Sequence, residues 1–86
     1  MISSVKTVTT TAAMVIAADD KQRTCYIHVI GAGTVYLGNS TVTSTNGFLT
    51  EKNAVPLELV VPQNETVWAV VASGTENLRI LTPDVD

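Results

Sequence analysis

The residue best suited to acid–base chemistry is His28, the only histidine of the chain. It lies between Ile27 and Val29 in a run that predicts a β-strand. A general base there would need a nucleophile and an orienting acid beside it. Cys25 is three residues away, so a regularly pleated strand turns it to the opposite side and excludes a Cys/His pair within this strand. We therefore expect His28 at a surface or subunit interface, where it could act as a pH-sensitive contact, and Cys25 in the core as a small hydrophobe.

The remaining polar residues predict no catalytic or metal site. Asp19 and Asp20 are adjacent, but the ladder of Asp or Asn residues and the following Glu of a calcium loop are missing. The segment Gly31-Ala32-Gly33 lacks the third glycine and the helix of a phosphate-binding loop, and it predicts a turn. A single cysteine excludes an intrachain disulfide and a cysteine-based zinc finger. We expect no enzymatic activity, no catalytic residues, no metal and no cofactor.

Residues 35 to 50, VYLGNSTVTSTNGFLT, join an apolar strand to a run of small Asn, Ser, Thr and Gly residues. This run offers shape and hydrogen bonds but almost no acid, base or thiol. Tyr36 and Phe48 flank it, and together with Trp68 they could form an aromatic platform for a sugar. Core or interface packing is the other use of such side chains, and with four aromatic residues in the chain we favour packing.

Length and composition predict one small domain spanning residues 1 to 86. Charged residues make up 15% of the chain, against about 25% in ordinary soluble domains. The net charge is −3 and the five basic residues form no run, so the basic patch that nucleic acid requires is not expected. The apolar run at residues 12 to 18 is far shorter than the roughly 20 residues that cross a bilayer. It follows threonines rather than basic residues, so we expect neither a signal peptide nor a membrane partner.

Composition also predicts an all-β fold. The chain has thirteen threonines and thirteen valines, and Gly, Pro or Asn residues interrupt it every several positions. Seven to eight short strands in so small a domain predict an antiparallel β-sandwich or barrel. We place the strands at Val5 to Thr11, Ala13 to Ala17, Thr24 to Ile30, Thr34 to Leu37, Leu57 to Val61, Thr66 to Ala72 and Asn77 to Thr82, with a further short strand near Thr41 to Thr43.

Two of the turns between these strands have specific signals. Asn46-Gly47 favours the left-handed backbone of a tight hairpin, and Pro62 begins a four-residue turn that ends at Glu65.

Two strands do not alternate between apolar and polar residues as a sheet with one wet face should. Residues 67 to 72, VWAVVA, are apolar on both faces, and residues 25 to 30, CYIHVI, are nearly so. One face of each can enter the core, but a chain of 86 residues is too short to supply a third layer. We predict that the face carrying Trp68 and Val70, with Tyr26 and His28, is a subunit interface. The alternatives are that small residues tolerate exposure there or that a long loop folds over them.

The N-terminal residues 1 to 11 have high strand propensity and two open roles. They could extend as a strand or arm that pairs with a neighbouring chain, or they could belong to the chain's own sheet. Membership of the chain's own sheet is the favoured alternative.

A resemblance to a known class of proteins rests on several segments of the chain. They are Val35-Tyr36-Leu37-Gly38, Val42-Thr43, Asn46-Gly47, residues 65 to 75 (ETVWAVVASGT) and Leu78-Arg79-Ile80-Leu81. This pattern, from about Thr24 to Thr82, resembles small β-rich minor capsid or head-decoration proteins of tailed bacteriophages. Similar small sandwiches also occur as tail or fibre modules.

The resemblance implies a virion protein that decorates or cements the capsid exterior. Its partners would be the major capsid protein and copies of itself, as a dimer or trimer, and it would be synthesised in the host cytoplasm. The Asn/Ser/Thr-rich stretch would then be a contact or turn region. A receptor- or glycan-binding module of a phage tail or fibre is the alternative function. The candidate interface residues are Trp68, Val70, Tyr26, His28, Tyr36 and Phe48.

Overall fold

A computed structural model describes residues 1–51 and 55–83 of the chain. The described residues form eight strands and no helix, so the predicted all-β class is confirmed. No helix long and apolar enough to cross a membrane occurs in these ranges. The strands are β1 (Ile2–Val8), β2 (Ala13–Ile16), β3 (Arg23–Val29), β4 (Thr34–Gly38), β5 (Phe48–Glu51), β6 (Leu57–Val61), β7 (Val67–Val70) and β8 (Glu76–Thr82).

The strands form two four-stranded antiparallel sheets. Sheet 1 has the order β1-β8-β3-β6, and sheet 2 has the order β2-β7-β4-β5. The first half of the chain thus pairs with the second half in reverse order, which is the arrangement of a jelly roll. Each sheet has two edge strands: β1 and β6 in sheet 1, and β2 and β5 in sheet 2.

The core lies between the two sheets and is built from alternating residues of each strand, as the two-residue period of a β-strand requires. Sheet 1 supplies Cys25, Ile27 and Ile80, and sheet 2 supplies Leu37 and Ala69, with further residues from both. The outward neighbours Asn77 and Arg79 are exposed, as the alternation along β8 predicts. Because the two sheets pack face to face, nearly every strand of this valine- and threonine-rich chain buries one of its faces.

The predicted strand near Thr41 to Thr43 is wrong. Those residues belong to the loop after β4, and the additional strand is β5, which begins at Phe48 and pairs with β4. The left-handed turn predicted at Asn46-Gly47 is also wrong, because neither residue has positive φ. The Asn46 side chain instead accepts a hydrogen bond from the Thr43 N–H, at 2.8 Å.

The turn after Pro62 is confirmed. Asn64 has a φ of 66°, and the Glu65 N–H donates to the Pro62 carbonyl at 3.2 Å. The Asn64 N–H also donates to the Asp19 carbonyl at 2.7 Å, which ties this turn to the β2–β3 connection.

The N-terminal segment is a member of the chain's own sheet. β1 pairs with β8 along its whole length, from Ile2 opposite Thr82 to Val8 opposite Glu76. The strand begins and ends three residues earlier than the sequence predicts. All of residues 1 to 11 have high strand propensity, so pairing with β8 decides which of them form the strand.

Candidate protein-interaction surfaces

Tyr26 and His28 lie on the outer face of sheet 1. Their neighbours in β3, Cys25 and Ile27, are fully buried, and pleating turns Tyr26 and His28 the other way. Tyr26 is 37% exposed, and His28 is half-buried opposite Arg79 of β8. Beside them is a shallow depression of about 170 Å³. This face therefore presents one aromatic ring and one imidazole on a largely flat sheet.

Trp68, Val70 and Tyr36 lie on the outer face of sheet 2. Val70 is directly opposite Tyr36, and Trp68 is opposite Met14 of β2. Val70 is only 5% exposed, although it does not belong to the main core cluster. Trp68 is half-buried, and its indole N–H donates to the Thr66 hydroxyl at 3.0 Å. The chain itself thus shields Val70 and part of Trp68, whereas Met14 and Leu49 are exposed on the same face.

The prediction that one face carries Trp68, Val70, Tyr26 and His28 together is wrong. Tyr26 and His28 belong to β3 of sheet 1, and Trp68 and Val70 belong to β7 of sheet 2. The two pairs of side chains point outward from opposite faces of the sandwich. A single flat contact therefore cannot cover both pairs.

The loop of residues 39 to 47 folds back against sheet 2, which is the covering loop that the sequence left as an alternative. Val42 is buried, and a Cβ atom placed on Gly38 would lie 2.8 Å from Val42 Cγ2. A Cβ atom on Gly47 would lie 2.5 Å from Tyr36 Cβ and 2.9 Å from Val42 Cγ2. Glycine at both positions lets the loop approach the sheet closely enough to bury Val42.

Many of the polar groups in this loop bond to one another. The Asn39 side chain accepts hydrogen bonds from the N–H and hydroxyl groups of Thr41, at 2.9 and 2.7 Å. The Gly47 N–H donates to the Thr43 carbonyl at 2.9 Å. The Asn/Ser/Thr-rich stretch therefore stabilises its own conformation, and these groups already form hydrogen bonds within the isolated chain.

Phe48 lies at the open side of the sandwich, between the edge strands β5 and β6. It is opposite the buried Leu37 and so points to the core side of sheet 2. It is nevertheless 65% exposed, because β5 is the last strand of that sheet among the described residues. A groove of about 320 Å³ separates Phe48 from Leu59 and Val60 of β6. We call it the β5–β6 groove; its described lining is mainly apolar and comprises Leu37, Gly38, Asn39, Phe48, Leu59, Val60, Val61, Pro62, Glu65, Thr66 and Val67.

Sequence reasoning did not select two exposed residues near this groove. Val60 is 51% exposed, and Leu49 is exposed beside Phe48. The sequence could have predicted the exposure of Val60, because Val60 lies two residues after the exposed Glu58 and so on the same face of β6. Leu49 carried no comparable signal, since the position of β5 was not predicted.

The reactive groups do not come together in the described part of the chain. Cys25 is fully buried, and burial raises the pKa of its thiol. No group of three or more His, Cys, Asp or Glu residues able to hold a metal occurs among residues 1–51 and 55–83. The Asp19 carboxylate accepts from the Lys21 N–H at 3.1 Å, and its pKa is lowered by a hydrogen bond with Asp20 and by this main-chain bond. The Asp19-Asp20 pair thus organises a turn.

Comparison with protein families, with curated proteins and with solved structures finds no match for this chain.

Proposed function

We propose that this protein is a structural protein of a tailed-bacteriophage virion that binds the outside of the capsid shell through protein–protein contacts, without enzymatic activity. The observation that supports this most is the β5–β6 groove, which is mainly apolar and has the exposed residues Phe48 and Val60 in its lining. Exposed apolar surface bordered by polar residues is typical of protein-interaction sites.

The jelly-roll arrangement is compatible with this proposal but does not select it. Jelly rolls occur in viral capsid proteins and also in lectins, so the fold alone supports both the capsid and the glycan alternatives.

The side-chain environments favour a protein partner over a glycan. A sugar platform needs an exposed ring with free polar groups around it. The Trp68 N–H is already bonded to Thr66, and Trp68 and Tyr36 are half-buried. Phe48, the most exposed aromatic residue, borders a mainly apolar groove. Apolar contact with a protein surface therefore suits these residues better than hydrogen bonding to a sugar.

The proposal places the β5–β6 groove against the major capsid protein. Copies of the chain would occupy symmetry-related positions on the shell, as dimers or trimers, because closed symmetry matches capsid axes. The net charge of −3 favours solubility of the unbound chain despite its apolar surface.

The test uses virions of the phage that encodes the chain, prepared from a strain in which its gene is deleted. Purified protein is added to these particles and bound protein is measured by co-sedimentation. We expect saturable binding that Phe48→Asp and Val60→Asp each reduce by at least about tenfold, as burial of a charge at an apolar contact requires. Ser73→Asp, an exposed position outside the groove, introduces the same charge and should bind as the unaltered chain does. Failure of the unaltered protein to bind would contradict the proposal.

A further inference from the structure

A second, larger groove lies on the opposite side of the sandwich, between the edge strands β1 and β2. It has a volume of about 700 Å³ and is continued by the connection from β2 to β3. We call it the β1–β2 groove. Neither the resemblance nor the proposed capsid contact at the β5–β6 groove uses it.

The wall formed by β1 consists of alternate residues on the core-facing side of that strand. Ile2, Ser4 and Lys6 line the groove, and the next residue of the same parity, Val8, is fully buried. Their partners in β8 include Ile80, which is almost fully buried and forms part of the floor. The core-facing side of sheet 1 therefore continues beyond the part that sheet 2 covers.

The opposite wall begins in β2. Val15 and Ile16 are buried and contribute apolar surface, and Ala17 and Ala18 continue it. β2 has only four residues and contains a register irregularity between Met14 and Ile16, so it is too short to cover the whole of β1. An open groove results between the two edge strands, with buried apolar residues at its floor.

The groove is positively charged in an acidic protein. Among its described lining residues three are basic, Lys6, Lys21 and Arg23, and one is acidic, Asp19. The whole chain, by contrast, has a net charge of −3. The Arg23 guanidinium is held by the Ala17 carbonyl at 2.7 Å and the Glu65 carbonyl at 3.0 Å. Those acceptors are neutral, and the Asp19 carboxylate is close enough to Arg23 and Lys21 to interact with both positive charges.

Lys6 is a charged residue at a core-facing position of an edge strand. Its cross-strand partner Leu78 is fully buried, whereas Lys6 is exposed to the groove. An inward-facing charge on an edge strand opposes pairing with an apolar strand from another molecule. The same charge favours an incoming strand that carries a carboxylate at the matching position.

We infer that the β1–β2 groove binds an extended acidic segment of a partner protein, which pairs with the edge of β1 that no described strand occupies and places a carboxylate near Lys6. Main-chain hydrogen bonds to β1 supply affinity, and every second side chain of the segment points into the groove, on the same side of the sheet as Lys6. The inference rests on the proposed function only in taking the partner to be a protein. It assigns a contact at the side of the sandwich opposite to the β5–β6 groove, so one copy could bridge two neighbours.

The probe is a synthetic eight-residue peptide that alternates threonine or valine with aspartate, blocked at both ends. The matched control is the same peptide with lysine in place of aspartate. Backbone amide spectra of the ¹⁵N-labelled full chain are recorded during titration with each peptide. We expect the aspartate peptide to shift the amide signals of Ile2 to Lys6 and of Val15 to Ala18. Leu57 to Val61 of β6, the other edge of sheet 1, should stay unshifted, and the lysine peptide should leave all signals unchanged.

A second experiment reverses the charge of Lys6. Lys6→Glu should weaken binding of the aspartate peptide by at least about tenfold, because it opposes two like charges. Arg79→Glu makes the same change of charge on the outer face of the same sheet and should leave binding unchanged. Lys6→Gln, which removes the charge without reversing it, should have an intermediate effect, and a thermal melt of each variant establishes that it is folded.

Three results would overturn the inference: equal binding of both peptides, shifts confined to β6, or the absence of binding. The outcome is independent of the virion experiment, because the peptide titration uses the isolated chain. Binding of the acidic peptide without binding to the capsid would support this inference and contradict the proposed function. Binding to the capsid without binding of the peptide would support the proposed function and contradict this inference.

Discussion

The Glu76 carboxylate accepts a hydrogen bond of 2.9 Å from the main-chain N–H of Gly33, which joins the start of β8 to the turn between β3 and β4. A Cβ atom placed on Gly31 would overlap this same carboxylate. The turn of residues 31 to 33 therefore depends on a side chain 43 residues away.

This relationship predicts non-additive effects on stability. Glu76→Ala should lower the free energy of unfolding by about 1 to 2 kcal/mol, through loss of a partly buried hydrogen bond. Gly31→Ala should cost a similar amount, because the new methyl group displaces the carboxylate. In the Glu76→Ala background Gly31→Ala should cost much less, since the obstacle is gone. Urea denaturation of the four proteins measures this cycle, and additive effects would contradict the contact.

The second prediction concerns the loop that covers sheet 2. Val42→Ala should lower the free energy of unfolding by about 1 to 2 kcal/mol, because it removes buried methyl groups that pack against Gly38 and Gly47. Gly47→Ala should cost about 1 to 3 kcal/mol through crowding against Tyr36. Ser44→Ala, at an exposed position of the same loop, is the control and should change stability by less than about 0.5 kcal/mol. Tyrosine fluorescence and denaturant melts provide the measurement, and equal stability of all three variants would show that the loop does not pack on the sheet.

The third prediction separates residues that stabilise the chain from residues that are free to bind. Val70→Ala should lower the free energy of unfolding by about 1 to 3 kcal/mol, because Val70 is buried within the single chain. Phe48→Ser should change it by less than about 0.5 kcal/mol, because most of that ring is exposed. Thermal unfolding of both variants at low protein concentration tests this difference. A large loss for Phe48→Ser together with none for Val70→Ala would reverse the assignment.

Much of the fold follows from local sequence, whereas the surfaces depend on long-range pairing. Alternation located the core positions of β6 and β8, because one face of each carries apolar residues. Local sequence could not show that β3 and β7 lie in different sheets, since partner choice links residues far apart in the chain. For this reason Tyr26 and Trp68 were grouped on one face that does not exist.

The sequence left a covering loop as an alternative but did not identify residues 39 to 47 as that loop, for a related reason. Asn46-Gly47 is a strong hairpin signal, but the Asn46 side chain bonds to the Thr43 N–H and Gly47 packs against Tyr36. Tertiary contacts thus replaced the local preference for a left-handed turn. The exposed Phe48 could be selected from its type and position, but its groove could not, because the groove requires β5 and β6 to end their respective sheets.

The fourth prediction concerns pH. Burial raises the pKa of the Cys25 thiol in the folded chain above its value of 9.0 in the unfolded chain. Above pH 9.0 the unfolded chain loses this proton first and binds fewer protons than the folded chain, so stability falls as pH rises. Below that pH the contribution is fully present. Cys25→Ala should be less stable at pH 7 because it leaves a small cavity, and its stability should fall less between pH 8.5 and 10.

The measurement for Cys25 is a series of urea melts across that pH range, combined with the rate of thiol modification by a disulfide reagent. The thiol should react only at the rate at which the chain unfolds, because its side chain is fully buried. Fast modification of the folded chain at pH 8 would contradict the burial of Cys25.

The proposed role as a capsid-binding protein is tested most directly by a reconstruction of intact virions of a tailed phage whose genome carries the gene for this chain. We expect eight-stranded density on the outside of the shell, with Phe48 and Val60 at the contact with the major capsid protein. Purified virions that lack the chain would contradict the proposed function.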